Sequence, residues 1–207
     1  MRGRQFYATN VSLSYIISFA YELHPGQITG GPGWLDTERF DVVATPNVVS
    51  PTIEQLRTML QKLLADRFRL TFHDARKELG IYAVTGGSRP HKLSSSVGRP
   101  EDLPRISFNY GSISATNATI KDLARTLQSN VLDRPVVDNT GIAGRFDFTL
   151  TWSPDEFQYD GRGANNPAGT GPTIFTAFQE QLGLQLKSTK AQIDVMIVDR
   201  VEKPTEN

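Results

Sequence analysis

The sequence predicts an α+β protein that is internally duplicated, with two pseudo-twofold-related halves of mainly antiparallel sheet and helices packed on one face of each. Three observations predict this. The tripeptide Ala8-Thr9-Asn10 recurs as Ala115-Thr116-Asn117, and Arg39-Phe40-Asp41 recurs as Arg145-Phe146-Asp147, in the same order and with one residue of slippage. After each Asn comes a stretch with apolar residues at helical spacing in the same phase. A glycine-bearing turn region then precedes each Arg-Phe-Asp, "GGPGWLDTE" in the first half and "DNTGIAG" in the second.

Taken in order, the first helix is carried by Leu13, Ile16, Ile17, Ala20 and Leu23, and His24-Pro25-Gly26 stops it. Asn10 or Ser12 would cap it, as Asn117 or Thr119 would cap the third helix. The second helix opens at Pro51-Thr52, where Thr52 and Gln55 fit a capping box. Its apolar stripe is Ile53, Leu56, Met59, Leu60, Leu63 and Leu64. Ile120, Leu123, Ala124 and Leu127 form the third helix, and the fourth runs from near Thr173 to Gly183 through Ile174, Ala177, Phe178 and Leu182.

Strands are predicted where β-branched and aromatic residues alternate with polar ones: "RFDVVA", "FRLTFH", "IYAVTG", "RFDFTLTW", "LQLKS" and "IDVMIVDR", with "ISFNYGSISAT" and "RPVVD" as further candidates. The Ser-, Pro- and Gly-rich segment 88–104 reads as a linker between a first half, 1–87, and a second half, 105–207. The second half shows a leading strand, "RISFNYGSISAT", whereas the first begins only at "GRQFYAT", so its leading strand reads as incomplete. The loop 153–172 is long enough to be functional or mobile.

Lys+Arg and Asp+Glu are both 22, and this zero balance gives no electrostatic reason to expect nucleic acid. With Cys 0, disulfides, thiolate metal sites and cysteine nucleophiles are all excluded. No apolar run approaches the roughly 20 residues that span a bilayer. "MRGRQFYATN" has no apolar segment after its basic start, so no signal peptide is visible.

Together "GGPGWLDTERFDVVA", "MLQKLLADRFRLTFH", "RPVVDNTGIAGRFDFTLTW" and "FTAFQEQLGLQLKSTKAQIDVMIVDRVEKPTEN" resemble an uncharacterised protein family of soil bacteria, acidobacterial in type. The similarity covers nearly the whole chain, and the ending "VEKPTEN" is quite specific to it. Family members usually carry a signal peptide and a strand of the "FEVASVKP" type, neither visible here. Some relatives are fused to membrane metallopeptidases similar to the β-lactam sensor class. The β-α-β units are similar to short N-terminal modules of secretins and TonB-dependent receptors. The resemblance implies an extracytoplasmic location and supplies no catalytic residue.

Few residues suggest chemistry. His24, His73 and His91 lack any HExxH or paired-ligand spacing. His73, near Asp66, Arg67 and Asp74, is a weak general-base candidate, and a strand-end histidine paired with an acid is the reading favoured. Asp36, Asp41, Asp138 and Asp147 flank the Arg-Phe-Asp strands, and Asp36 and Asp138 are weak catalytic candidates. Arg39 and Arg145, two residues before Asp41 and Asp147, suit a structural salt bridge on one strand face. Asp155, Glu156 and Asp160 are weak oxygen ligands for a cation. Trp34, with Arg39 and Arg67, is the candidate ligand-binding set, although a ring covering the core is the favoured role for Trp34. No phosphate loop and no nucleophile elbow is present, so no cofactor is expected.

Three functions are compatible with this. The leading one is a non-catalytic extracytoplasmic binding or sensing module for an unknown small molecule or cell-envelope protein. The second is a hydrolase using acidic residues, with His73, in a cleft between the halves. The third is a cell-envelope assembly module acting through strand edges.

Overall fold

Each Ala-Thr-Asn forms the same local structure, and the rest of each unit is built around it. The computed structural model describes residues 6–45, 51–99, 102–159, 161 and 171–204. Strand β1 (Phe6–Val11) pairs antiparallel with β3 (Phe40–Ala44), matching Ala8 with Val42 and Val11 with Phe40. Two residues, Thr9 and Asn10, therefore stand opposite Asp41 alone, which is a β-bulge. Strand β7 (Ser112–Ala118) pairs with β9 (Phe146–Thr151) in the same way: Ala115 meets Phe148, Ala118 meets Phe146, and Thr116 and Asn117 face Asp147.

Both bulges turn on an asparagine in the left-handed region, with φ 56° at Asn10 and 57° at Asn117. Asparagine tolerates this backbone better than most residues. The freed amide is held by the aspartate opposite: Asp41 Oδ1 accepts from Asn10 N–H at 2.8 Å, and Asp147 Oδ1 from Asn117 N–H at 2.9 Å. Arg145 donates to the Asn117 carbonyl at 2.8 Å. Among the described residues no ion pair joins Arg39 to Asp41 or Arg145 to Asp147; each aspartate accepts from its bulge amide instead.

A helix follows each bulge, capped by the hydroxyl and not by the asparagine. Ser12 accepts from Tyr15 N–H at the start of α1 (Leu13–Tyr21). Thr119 accepts from Asp122 N–H at the start of α4 (Ile120–Asn130), and Asp122 returns the bond to complete a capping box. The α3 helix (Ile53–Phe68) carries the capping box read from Thr52 and Gln55. "WLDT", predicted as a turn, is a one-turn helix α2 (Trp34–Thr37). The fourth predicted helix is α5 (Ile174–Ala177), which widens into a π-helical turn over Phe178–Leu182 and ends at Gly183, φ 68°.

The chain forms two compact units: Met1–Glu78 with Gln192–Asn207, and Leu79–Ala191. This partition differs from the sequence halves 1–87 and 105–207, because the final strand belongs to the first unit and segment 88–104 to the second. The unit boundaries fall inside strands β4 (Thr71–Gly86) and β10 (Leu184–Arg200), each of which joins two predicted strands. In β4 the intervening residues, including Arg76, Lys77 and Glu78, are mostly exposed. An exposed strand carries no apolar alternation to announce it.

In the first unit, β10 lies between β2 (Ile28–Gly30) and β4, and pairs parallel with β2. Its core joins Leu13, Ile16, Ile17 and Ala20 of α1 to Leu60, Leu64 and Phe68 of α3, with Met196 and Val198 from β10. In the second unit, β5 (Ser94–Ser95), β9, β7 and β6 (Arg105–Asn109) form an antiparallel sheet in that order. There β8 (Val136–Asp138) pairs parallel with β4. Ile113, Leu123, Leu127, Leu150 and Phe178 are fully buried in its core. Tyr110-Gly111 joins β6 to β7, and Gly111 has φ 72°, with Trp152 O 2.6 Å from where a Cβ would stand. Only glycine fits there. No helix among the described residues is long and apolar enough to cross a membrane.

Candidate functional site

An apolar groove of about 260 Å³ opens on the first unit, between β1 and the helices α1 and α3. Its geometry follows from the α1 sequence, "LSYIISFAY", which is apolar on nearly every face. Leu13, Ile16, Ile17 and Ala20 are used by the core, and this leaves Tyr15 and Phe19, one turn apart, on the flank. Ile16 and Leu60, 2% and 0% exposed, line the groove together with Ala8 and Val11 of β1. Tyr7 and Tyr15, 43% and 53% exposed, stand at its open side. The Arg57 guanidinium sits 5.8 Å from the Phe19 ring centroid and pairs with Glu22, which gives the apolar wall a charged margin.

The residues singled out from sequence lie elsewhere in the fold. Trp34 is half-buried, edge-on to Phe40 at 6.2 Å, with the Lys203 ammonium 5.8 Å from its ring. It covers the core of its unit. Asp36, Arg39 and Arg67 are exposed, on α2, before β3 and on α3 respectively. His73 is exposed on β4, and its Nδ1 lies 2.8 Å from Asp199 Oδ1 on β10. Its carboxylate partner thus comes from the far end of the chain and is neither Asp66 nor Asp74. No hydrogen bond or ion pair links Trp34, Asp36, Arg39 and His73 to one another.

Asp138, Asp155 and Glu156 belong to the second unit. Asp138 Oδ1 accepts from both the amide and the hydroxyl of Thr140, at 2.9 and 2.7 Å, and so closes a turn. Asp155 accepts from Phe157 N–H at 3.0 Å and from Gln158 Nε2 at 2.9 Å. Gln158 in turn accepts from the Trp152 indole at 2.7 Å. These aspartates organise local backbone. Asp160 lies outside the described residues. Among the described residues no group of three or more His, Asp or Glu is placed to hold a metal ion.

Burial raises the pKa of three tyrosines above the ordinary phenol value. Desolvation is the sole cause at Tyr21 and the main one at Tyr82 and Tyr159. At Tyr82 the Asp133 carboxylate adds to it, and the phenol donates to Asp133 Oδ1 at 3.1 Å. At Tyr159 the Gly111 N–H, donated to the phenol oxygen at 2.8 Å, works in the opposite direction.

Sequence reasoning missed the groove. The available signal was in α1, where Tyr15 and Phe19, one turn apart, lie off the core stripe of Leu13, Ile16, Ile17 and Ala20. No curated protein and no solved structure matches the chain. Residues 14–201 match the family described as "Protein of unknown function (DUF3738)", and the chain belongs to that family.

Proposed function

We propose that this chain is a binding or sensing module working outside the cytoplasm, with a cell-envelope protein or a small molecule as its partner and no nucleic acid. The groove beside β1 carries this reading: it exposes tyrosine rings over an apolar floor, the surface type that binds apolar or amphipathic partners. Its setting in soil bacteria, in some relatives beside membrane metallopeptidases, rests on the sequence resemblance alone. So does the likeness to secretin and receptor modules. We take the two bulge–helix units as products of duplication, supported by their shared register and shared aspartate-to-amide bond.

Purified protein assayed against esters, phosphoesters and glycosides is expected to show no turnover. Turnover abolished by a single substitution overturns the reading. The second reading, a hydrolase, is favoured by one observation, the His73–Asp199 pair. It predicts that His73→Ala removes such turnover, and it places the catalysis at that pair.

A further inference from the structure

Strands β4 and β10 correspond position by position, and each is divided between two cores. Phe68, Arg69 and Leu70 lead from α3 into β4, as Leu182, Gly183 and Leu184 lead from α5 into β10. Arg69 and Gly183 are both left-handed, with φ 50° and 68°. Twelve residues after Leu70 stands Tyr82, and twelve after Leu184 stands Met196. Leu70 and, in part, Phe72 join the core of the first unit, whereas Tyr82 and Val84 join that of the second. In β10 the order is reversed: Leu184 and Leu186 join the second core, whereas Met196 and Val198 join the first. Between these buried ends the chain is exposed, at 76–78 and at 187–190.

The pairing follows one register in both units. β10 lies parallel to β2, with Ile28 beside Met196 and Gly30 beside Val198. β4 lies parallel to β8, with Val136 beside Tyr82 and Asp138 beside Val84. A self-contained repeat would lay its own final strand in that seat. Here the seat beside β2 is filled by the final strand of the second repeat, and the seat beside β8 by the final strand of the first. Such an exchange of an identical element is what joins the protomers of a swapped dimer.

We propose that the repeats are a strand-exchanged pair fused in one chain, and that β4 and β10 thereby couple the two units so that they open as one. Neither core is complete without a strand from the other repeat, so neither repeat is a folding unit by itself. A partner held by the first unit therefore stabilises the second as well, which gives a sensing module a route for passing on occupancy. This goes beyond the binding-module reading and is independent of what the groove takes; from that reading it uses only the duplication.

The chain has one tryptophan in each unit, Trp34 in the first and Trp152 in the second. Trp152→Phe leaves Trp34 as the reporter, and Trp34→Phe leaves Trp152. Each full-length variant is unfolded in urea and followed by fluorescence and by far-ultraviolet circular dichroism. The expected result is a single transition in each variant, coincident in the two signals. Adding Val198→Ala or Val84→Ala is expected to lower the midpoint whichever tryptophan reports. A fluorescence transition displaced from the circular dichroism overturns the coupling. So does a Val198→Ala shift seen by Trp34 alone, or a Val84→Ala shift seen by Trp152 alone. In the unsubstituted chain, the slowest-exchanging amides of α1 and α4 are expected to converge on one opening free energy as urea is raised, and two separate values overturn the coupling too. Nuclear Overhauser contacts from Thr29 to Ala83, in place of Ile197, overturn the exchange itself and leave the duplication standing.

Discussion

The two bulge–helix units share a backbone and differ in what surrounds it. In the second unit the bulge is enclosed: Asn117 is buried, Arg145 holds its carbonyl, and β6 pairs along β7. In the first, Asn10 and its aspartate bond are exposed. The left-handed asparagine and its aspartate clamp thus persist whether the asparagine is buried or exposed. They are local solutions to turning a strand sharply into a helix. In the second unit the pairing of β6 with β7 adds burial to that junction.

Equivalent substitutions should therefore cost unequal amounts. The largest gap is expected at the asparagines. Asn117→Ala loses two hydrogen bonds of about 1 kcal/mol each and strains a left-handed residue, about 2–4 kcal/mol in all. Asn10→Ala carries only the backbone strain, about 1 kcal/mol. Urea denaturation of both variants measures the difference, and equal losses would break the comparison.

The clamping aspartates come next. Asp147→Ala strands a half-buried amide and is expected to cost about 1–3 kcal/mol, whereas water can replace Asp41 at under about 1 kcal/mol. Chemical denaturation reads the stability, and amide exchange at Asn10 and Asn117 shows which bulge opens. The helix caps should differ less. Thr119→Ala removes a reciprocal box at about 1–2 kcal/mol, and Ser12→Ala a single cap at about 0.5–1 kcal/mol. Helical circular dichroism during thermal melts orders the two.

Alkaline pH should give the smallest effect. The folded pKa values of Tyr82 and Tyr159 are raised, so the unfolded phenols ionise first. Stability from these groups is complete below about pH 10 and is lost as pH rises through the higher folded values. Tyr82→Phe and Tyr159→Phe should each flatten that decline in urea midpoints measured across the range. Tyr21→Phe does the same for the first unit.

The α+β class, the helix starts and the repeated markers were legible because each is local. Thr52 and Gln55 are three residues apart, and the apolar stripes of α1, α3 and α4 recur within a turn or two. Exposed strand was not legible. Residues 73–80 of β4 are extended, mostly exposed, and carry no apolar period of their own. Nor was the widened end of α5, which depends on how Phe178 and Leu182 seat in the core. Among the candidate site residues, chemical type was readable and partnership was not. His73 does pair with an acid, as its surroundings suggested, yet that acid is Asp199.

By itself, the sequence determined where the two strand-to-helix junctions fall and offered a hydroxyl two residues after each asparagine to cap the helix; strand pairing set the left-handed asparagine and turned the aspartate from a salt bridge to the bulge amide. Each needs only near neighbours or one cross-strand partner. Tertiary structure alone decided that Asn117 is buried while Asn10 is exposed, and that β7 is paired on both sides, by β6 and β9. Burial and strand pairing depend on which distant segments arrive at a surface, and the tripeptide Ala-Thr-Asn is the same in both settings.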